Sequence, residues 1–399
     1  MIPVSTALNV IDREVGPIGS ESVGVERSVG RVLAENIVAD TDMPPFDRSQ
    51  MDGFALRATD VRKVPATLSL VGESAAGRGW HKRLEKGEAI RIMTGAPVPE
   101  GADAVQKLEL VKDGARTILI MEAVEKGRSI VKRGAEIKKG SVLFSRGEVV
   151  TQGMIAGIAA FGYSKVKVAR RPSVSVLSTG SEIVPVDRIP GQDQIRNSNS
   201  VMLRVLCEQA GAVAKALPIS GDNLSTLKSR ILKAATDGRT DVLVITGGVS
   251  VGKYDLTKRA LKELGAEVFF ERVRLKPGKP AVFALLGNLL IFGLPGNPIS
   301  SAVTFYLFVR RAIRRMQNAS SVELITGIAV AGGRLKGAAE RETYLPLALK
   351  TSKEGVLLAM PLKWGGSSDF VGFARADAMA ALPRGSVIEA GDAVDIVFL

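Results

Sequence analysis

The chain has one cysteine, Cys207, and one histidine, His81, among its 399 residues, and aromatic residues make up only 5% of it. A lone cysteine cannot close a disulfide within the chain, and a single histidine leaves no Cys/His zinc cluster to assemble. A histidine-based triad would have to be built on His81, which sits in "GRGWHKR" with no nucleophile motif around it. Cys207 lies in "SVMLRVLCEQAG", where helical spacing makes it a buried apolar position rather than a reactive thiol. Chemistry must therefore come from carboxylates, lysines, hydroxyls, backbone amides and an oxygen-preferring cation such as magnesium. Long apolar runs are also missing. The richest, "AVFALLGNLLIFGL", is broken by Gly287, Asn288 and Gly293, well short of the roughly 18 residues that span a bilayer. The opening "MIPVSTALNVIDREV" has neither a basic start nor an apolar stretch long enough for a secretory signal, so the expected location is cytoplasmic.

What is present is apolar residue, at 46%, and positive charge, with 54 Lys and Arg against 41 Asp and Glu for a net +13. That length exceeds what one hydrophobic core organises, and two to four domains are expected. The positive balance favours anionic partners. Basic residues are scattered and no nucleic-acid module is evident, so small anionic substrates fit at least as well as nucleic acid, and a solvated basic surface accounts for most of the lysines; no nucleic-acid partner is expected. No membrane partner is expected.

From about Arg171 to Gln317 strands and helices alternate. "SVSVLS" reads as a strand running into a Thr179-Gly180 turn, and "SNSVMLRVLCEQAGA" as a helix capped by Ser198 or Asn199 and stopped at Gly211. "AVAKALPIS" is a strand, and the next helix is capped by Asp222 or Asn223. "DVLVITGG" is a buried strand emptying into Gly247 and Gly248. Asp255 caps "LTKRALKEL". Such alternation specifies a doubly wound parallel sheet covered on both faces, whose ligands sit beyond the carboxyl ends of the strands. "AVFALL" and "LLIFGL" form a hairpin through Gly287-Asn288, and "PGNP" starts a last helix with Asn297 as cap and Pro298 as first residue. After Asn318 short alternating segments predict a small C-terminal β-barrel. Before residue 145 a β-rich lobe is bracketed by two helical pieces, "VSTALNVIDREV" and "TQGMIAGIAAFG". The expected fold is thus multidomain α/β plus β. Residues 1–26 with 41–53 and 143–170 form an interleaved helical segment, 27–40 with 54–142 the β-lobe, 171–318 the α/β domain and 319–399 the barrel.

"TGGVSVGKYDLTK", residues 246–258, nearly spells a nucleotide-hydrolase phosphate loop, but Tyr254 stands where a Ser or Thr must hold magnesium. Asp255, one residue on, reads on its own first as a helix cap, and it also offers a carboxylate that can hold hydrated magnesium beside a phosphate. "STGSE" brings Ser178, Thr179, Ser181 and Glu182 to the same edge, and "ISGDN" brings Asp222. Glu182, Asp222 and Asp255 would then converge as an all-oxygen metal environment. "LKPGKP" places Lys276 and Lys279 on one stiff turn suited to an oxyanion, although solvated loop lysines read the same way.

Eight ordered motifs, "PPFDRSQMDGFA" (44–55), "IMTGAPVPEGADAV" (92–105), "RGAEIKKG" (133–140), "LSTGSEI" (177–183), "RNSN" (196–199), "TGGVSVGKYD" (246–255), "LKPGKP" (275–280) and "LPGNP" (294–298), resemble those of the molybdopterin molybdenumtransferases, relatives of the gephyrin E-domain. The resemblance implies a doubly wound molybdopterin-binding α/β domain, with adenylylated molybdopterin and molybdate as substrates, AMP as a product and Mg2+ as cofactor. It implies a homodimer whose N-terminal motifs face the partner's α/β domain, and it leaves room for a supplying adenylyltransferase and cofactor-accepting apoenzymes as partners. Carried residue by residue, it assigns catalytic roles to Asp52, Thr94, Glu136, Glu182, Asp222, Asp255, Lys276 and Lys279, with Asp222, Asp255 and Glu182 at the metal. Substrate contacts fall to Thr179, Gly180, Ser181, Thr246, Gly247, Gly248, Ser250, Pro295, Gly296, Asn297 and Pro298. Lys253 receives no role. Two departures are Asn197, where relatives often have Asp, and Glu136, where some have Asp. The competing readings are an adenylyltransferase, which would explain the α/β domain alone, and a non-catalytic carrier or scaffold.

Overall fold

A computed structural model describes residues 1–248, 256–363 and 365–399. Two compact units make it up: Met1–Glu35, Arg146–Thr151 and Lys165–Leu399 in one, Asn36–Ser145 and Gln152–Ser164 in the other.

The first unit holds the α/β sheet. Val213–Ala216, Ser173–Ser178, Val242–Thr246 and Leu289–Leu294 lie side by side in that order and run parallel. Val282–Leu286 adds on antiparallel to Leu289–Leu294, and Glu267–Phe270 antiparallel to Val282–Leu286, the hairpin at Gly287-Asn288 forming as expected. The strand Val242–Thr246 shows why both faces need cover. Its pleat sends Val242 and Val244 to one side, against Leu203 and Cys207 of the helix Ser198–Gln209. Leu243 and Ile245 go to the other, against Leu227 and Ile231 of Leu224–Thr236 and Leu261 of Leu256–Glu263. Buried on both faces, the strand is continuously apolar. Cys207 is fully buried, as its spacing predicted, and burial pushes its thiol up to about 12.

From Ser173–Ser178 the chain steps outward to Val213–Ala216, then crosses back to Val242–Thr246 on the opposite side. That reversal opens a crevice at the carboxyl ends of Ser173–Ser178 and Val242–Thr246. One cap differs from expectation: Asn197, not Ser198 or Asn199, caps the helix Ser198–Gln209, its Oδ1 accepting from the Ser200 N–H at 3.2 Å. Asn199 is thereby placed in the first turn with its amide free for tertiary use. The last helix runs from Pro298 through a π-turn, Phe305–Val309, to Met316.

The barrel closes in the same unit. Glu342–Thr351 pairs with both Leu357–Pro361 and Ala378–Leu382, while Thr326–Ala331 and Ala393–Phe398 complete the ring of five. Ala378, Ala380 and Leu382 are buried inside it, and small residues fit so narrow an interior.

The second unit is built on a curled sheet in the order Ala104–Lys107, Gly53–Leu56, Glu88–Ile92, Ala66–Ser74, Thr117–Ile120, Val111–Asp113. Gly53–Leu56, from "MDGFA", is an interior strand with all four residues buried. Among the described residues no helix is long and apolar enough to cross a membrane.

Candidate functional site

Three turns meet at the carboxyl edge of the α/β sheet. The Thr179 N–H donates to the Thr246 carbonyl (2.9 Å), the Gly180 N–H to that of Ser220 (3.1 Å), and the Gly247 N–H to that of Leu294 (3.2 Å). Gly247 and Gly248 have φ of +90 and +64. A Cβ on Gly247 would come closer than 3.0 Å to the Thr179 carbonyl oxygen, and one on Gly248 would lie 2.8 Å from Thr179 Oγ1. Backbone passes against backbone here, which only glycine permits.

Asp222 joins two of the turns, its Oδ2 accepting from Ser181 Oγ (2.8 Å) and from the Ser181 N–H (3.2 Å). Glu182, also exposed, folds its carboxylate over Gly180. Asp255 and Ser250 lie outside the described residues, and among the described residues no three His, Cys, Asp or Glu side chains gather closely enough to hold a metal. The expected carboxylate set is therefore seen here only as Glu182 and Asp222 on adjoining turns.

Lys276 is exposed and Lys279 half-buried on their shared loop. Leu275–Lys276 pairs with the barrel strand Glu342–Thr351, and after the loop Val282 pairs with Gly293 at the end of Leu289–Leu294. The loop thus enters the sheet at the same carboxyl edge. Gly278, with φ of +116, lets it pack down on Thr304.

The fourth turn is "PGNP". Asn297 occupies the cap position of Pro298–Thr304, but its side chain makes no cap bond and instead donates to Ser367 Oγ at 2.8 Å. The Ser367 carbonyl accepts from the Ile299 N–H at 3.1 Å. Ser367 is a neighbour that local sequence gave no reason to choose, since it is 70 residues away. Pro295 is buried, and its carbonyl accepts from Thr246 Oγ1 at 3.2 Å. Thr246, expected to touch substrate, is 2% exposed, with its hydroxyl and carbonyl both spent on protein partners. Its bonds tie the carboxyl end of Val242–Thr246 to the neighbouring turns.

Beside the first turn lies a cleft of about 650 Å³ with apolar walls, Val184, Pro185, Leu217 and Pro218 among them, and Ser181 and Asn197 at its polar end. Its size and mixed lining suit a small organic ligand. Asn197 needs no charge there: its Oδ1 accepts from Ser178 Oγ (2.8 Å) as well as from Ser200.

The N-terminal motifs assemble within the second unit. Asp52 Oδ1 accepts from the Thr94 N–H (2.7 Å) and from Thr94 Oγ1 (2.9 Å), which holds its carboxyl below the usual range. Asp42 is lowered by the Lys139 N–H and by Arg133. Glu136 pairs with Arg48 at 2.8 Å, and the strand Arg48–Ser49 pairs with Ile130–Val131. The structure therefore brings Asp52 to Thr94, and Glu136 to the same first motif.

Comparison with known proteins covers the whole chain. Residues 2–162 match the MoeA N-terminal region (domain I and II), 175–315 a probable molybdopterin binding domain, and 329–399 the MoeA C-terminal region (domain IV). A curated protein of Staphylococcus aureus named molybdopterin molybdenumtransferase is 34% identical over 99% of this chain and 95% of its own, and one of Staphylococcus epidermidis is 32% identical over the same shares. Two crystal structures of the molybdopterin biosynthesis MoeA protein of Pyrococcus horikoshii align over 100% of this chain and 99–100% of theirs. Their TM-scores are 0.84 and 0.86, at 32% and 28% identity.

Proposed function

The chain belongs to the molybdopterin molybdenumtransferase family, and on that premise we propose that it joins molybdate to the dithiolene sulfurs of adenylylated molybdopterin and releases AMP. The observation that carries this reading is the meeting of four conformationally restricted turns at one sheet edge, with Asp222 bonded to Ser181 across two of them. The full-length match to relatives of that name favours this activity over adenylylation by an α/β domain alone.

The chain's own groups divide the work. Gly247 and Gly248 allow the substrate's pyrophosphate to approach backbone, and Gly180 and Ser181 border the cleft that takes a heterocycle of the substrate. Lys276 and Lys279 attract the molybdate oxyanion and offset charge as it meets the sulfurs. Reaction at a dithiolene needs no histidine and no protein thiolate, because the substrate supplies the sulfur. Exposed oxygen donors fit magnesium, a hard cation that takes oxygen ligands and keeps several waters. Asp222 and Glu182, with Asp255, are the residues that would hold it, and it would supply charge compensation on the pyrophosphate. The family motifs assign Pro295, Gly296, Asn297 and Pro298 to substrate contacts, and Asp52, Thr94 and Glu136 to the partner-facing motifs of a cytoplasmic homodimer.

The test uses the purified chain with adenylylated molybdopterin, molybdate and magnesium, following AMP by chromatography. Asp222→Asn is expected to slow AMP release by about 10–100-fold, the usual cost of losing a supporting ligand. Wild-type rates in that variant would refute the assignment.

A further inference from the structure

Asn199 spends both N–H donors of its side-chain amide on two separate turns of the crevice. Nδ2 donates to Thr246 Oγ1 at 2.9 Å and to the Gly296 carbonyl at 2.7 Å. The carbonyl can only accept, which fixes the orientation of the amide. Thr246 Oγ1, having accepted from Asn199, donates onward to the Pro295 carbonyl at 3.2 Å. One chain of hydrogen bonds thus runs from the first turn of Ser198–Gln209, through the end of Val242–Thr246, to Pro295 and Gly296. Thr246 is 2% exposed, and Asn199 Oδ1 is buried with no hydrogen-bond partner among the described residues. Among the described residues, then, the tertiary bonds of this amide are made through its donors.

We propose that Asn199 is a positioning residue for the transfer reaction: it fixes the "TGG" turn against the "PGNP" turn through Thr246, so that Gly247 and Gly248 on one side and Asn297 on the other meet the substrate in one geometry. Gly247 depends on the same junction, since its N–H reaches the Leu294 carbonyl at 3.2 Å, next to Pro295. A Cβ on Gly296 would lie 3.6 Å from the Gly247 Cα, an ordinary contact distance, so the two turns lie side by side. Without the amide the turns keep their contact but lose the bond that sets their register. This inference rests on the proposed molybdenum-transfer reading for its kinetic consequence and not for its structural one.

The experiment compares Asn199→Ala, Thr246→Val, Thr246→Ser and the Asn199→Ala/Thr246→Val double variant by two readouts. In AMP release, Asn199→Ala is expected to lower kcat by about 10–100-fold, as misplacement of supporting groups does, and to change KM for adenylylated molybdopterin less than about threefold. Thr246→Ser, which keeps the hydroxyl, recovers most of what Thr246→Val loses. The double variant loses no more than the worse single one, because both changes break one chain of bonds. Independently of activity, amide hydrogen exchange at residues 246–248 and at Gly296 and Asn297 speeds up in Asn199→Ala and Thr246→Val and not in Thr246→Ser. Unchanged exchange there, losses that multiply in the double variant, or Thr246→Ser as impaired as Thr246→Val would each overturn the proposal. A wild-type protein that releases no AMP would count against the transfer reading alone, and the exchange result would still decide the role of Asn199.

Discussion

Replacing Gly247 by alanine tests whether the close passage of two turns is what makes the crevice work. The position costs an L-residue twice. Its φ of +90 lies where a Cβ meets the following carbonyl, a backbone penalty of about 1–2 kcal/mol. The new Cβ would also fall closer than 3.0 Å to the Thr179 carbonyl oxygen and 2.9 Å from Thr179 Oγ1, and overpacking of that kind costs about 1–3 kcal/mol. The two terms together give a destabilisation of about 2–5 kcal/mol. Thr179 cannot easily yield, because its N–H is bonded to the Thr246 carbonyl at 2.9 Å. The strain is relieved by parting the first and third turns, and a displacement of about 1 Å is worth about 10²-fold in rate. Gly238→Ala separates the terms, since φ there is +62 and a Cβ would meet nothing within 4 Å. It should cost about 1–2 kcal/mol and leave AMP release untouched. Urea unfolding and AMP release, measured on both variants, decide the matter. Equal stability losses with full activity in Gly247→Ala would show that the two turns need not approach as described.

The remaining predictions concern charge and reactivity. The Asp52 carboxyl is held below its ordinary 3.8 by the Thr94 N–H and hydroxyl, so its bonds stabilise the fold above that value and are lost as pH falls through the lowered native one. Asp52→Ala should therefore be less stable than wild type at neutral pH, with the gap closing below about pH 4. A gap of constant size in unfolding curves from pH 7 to pH 2 would refute the role of those bonds. Cys207, fully buried with its thiol pushed up to about 12, should resist an exposed-thiol reagent at neutral pH in the native protein and react on denaturation. Rapid native labelling would contradict its packing against Val242 and Val244.

The sheet was legible in the sequence because local preference and tertiary need agree there. Val242–Thr246 is apolar on every residue since both its faces are covered, and the Gly287-Asn288 hairpin follows from turn chemistry alone. Ala378–Leu382 carries little local strand signal because alanine has little strand preference, although a narrow barrel interior suits it. Gly53–Leu56 falls inside a motif, and its place between two other strands is set by pairing with segments far along the chain. The site divides in the same way. Its glycines, carboxylates and lysines are visible as residue types at turns, whereas Asn199 cannot be told from a cap locally because Asn197, Ser198 and Asn199 can each cap a helix. Only the tertiary position of Thr246 and Gly296 distinguishes them. The bond from Asp52 to Thr94 joins residues 42 apart, and no local rule reaches that far.

The most direct measurement of the central claim supplies the purified chain with adenylylated molybdopterin, molybdate and magnesium. It follows AMP together with reconstitution of a molybdenum-dependent apoenzyme. The account predicts AMP release that depends on molybdate, with active cofactor appearing alongside it. Absence of both products, or adenylylation of molybdopterin from ATP in their place, would contradict it.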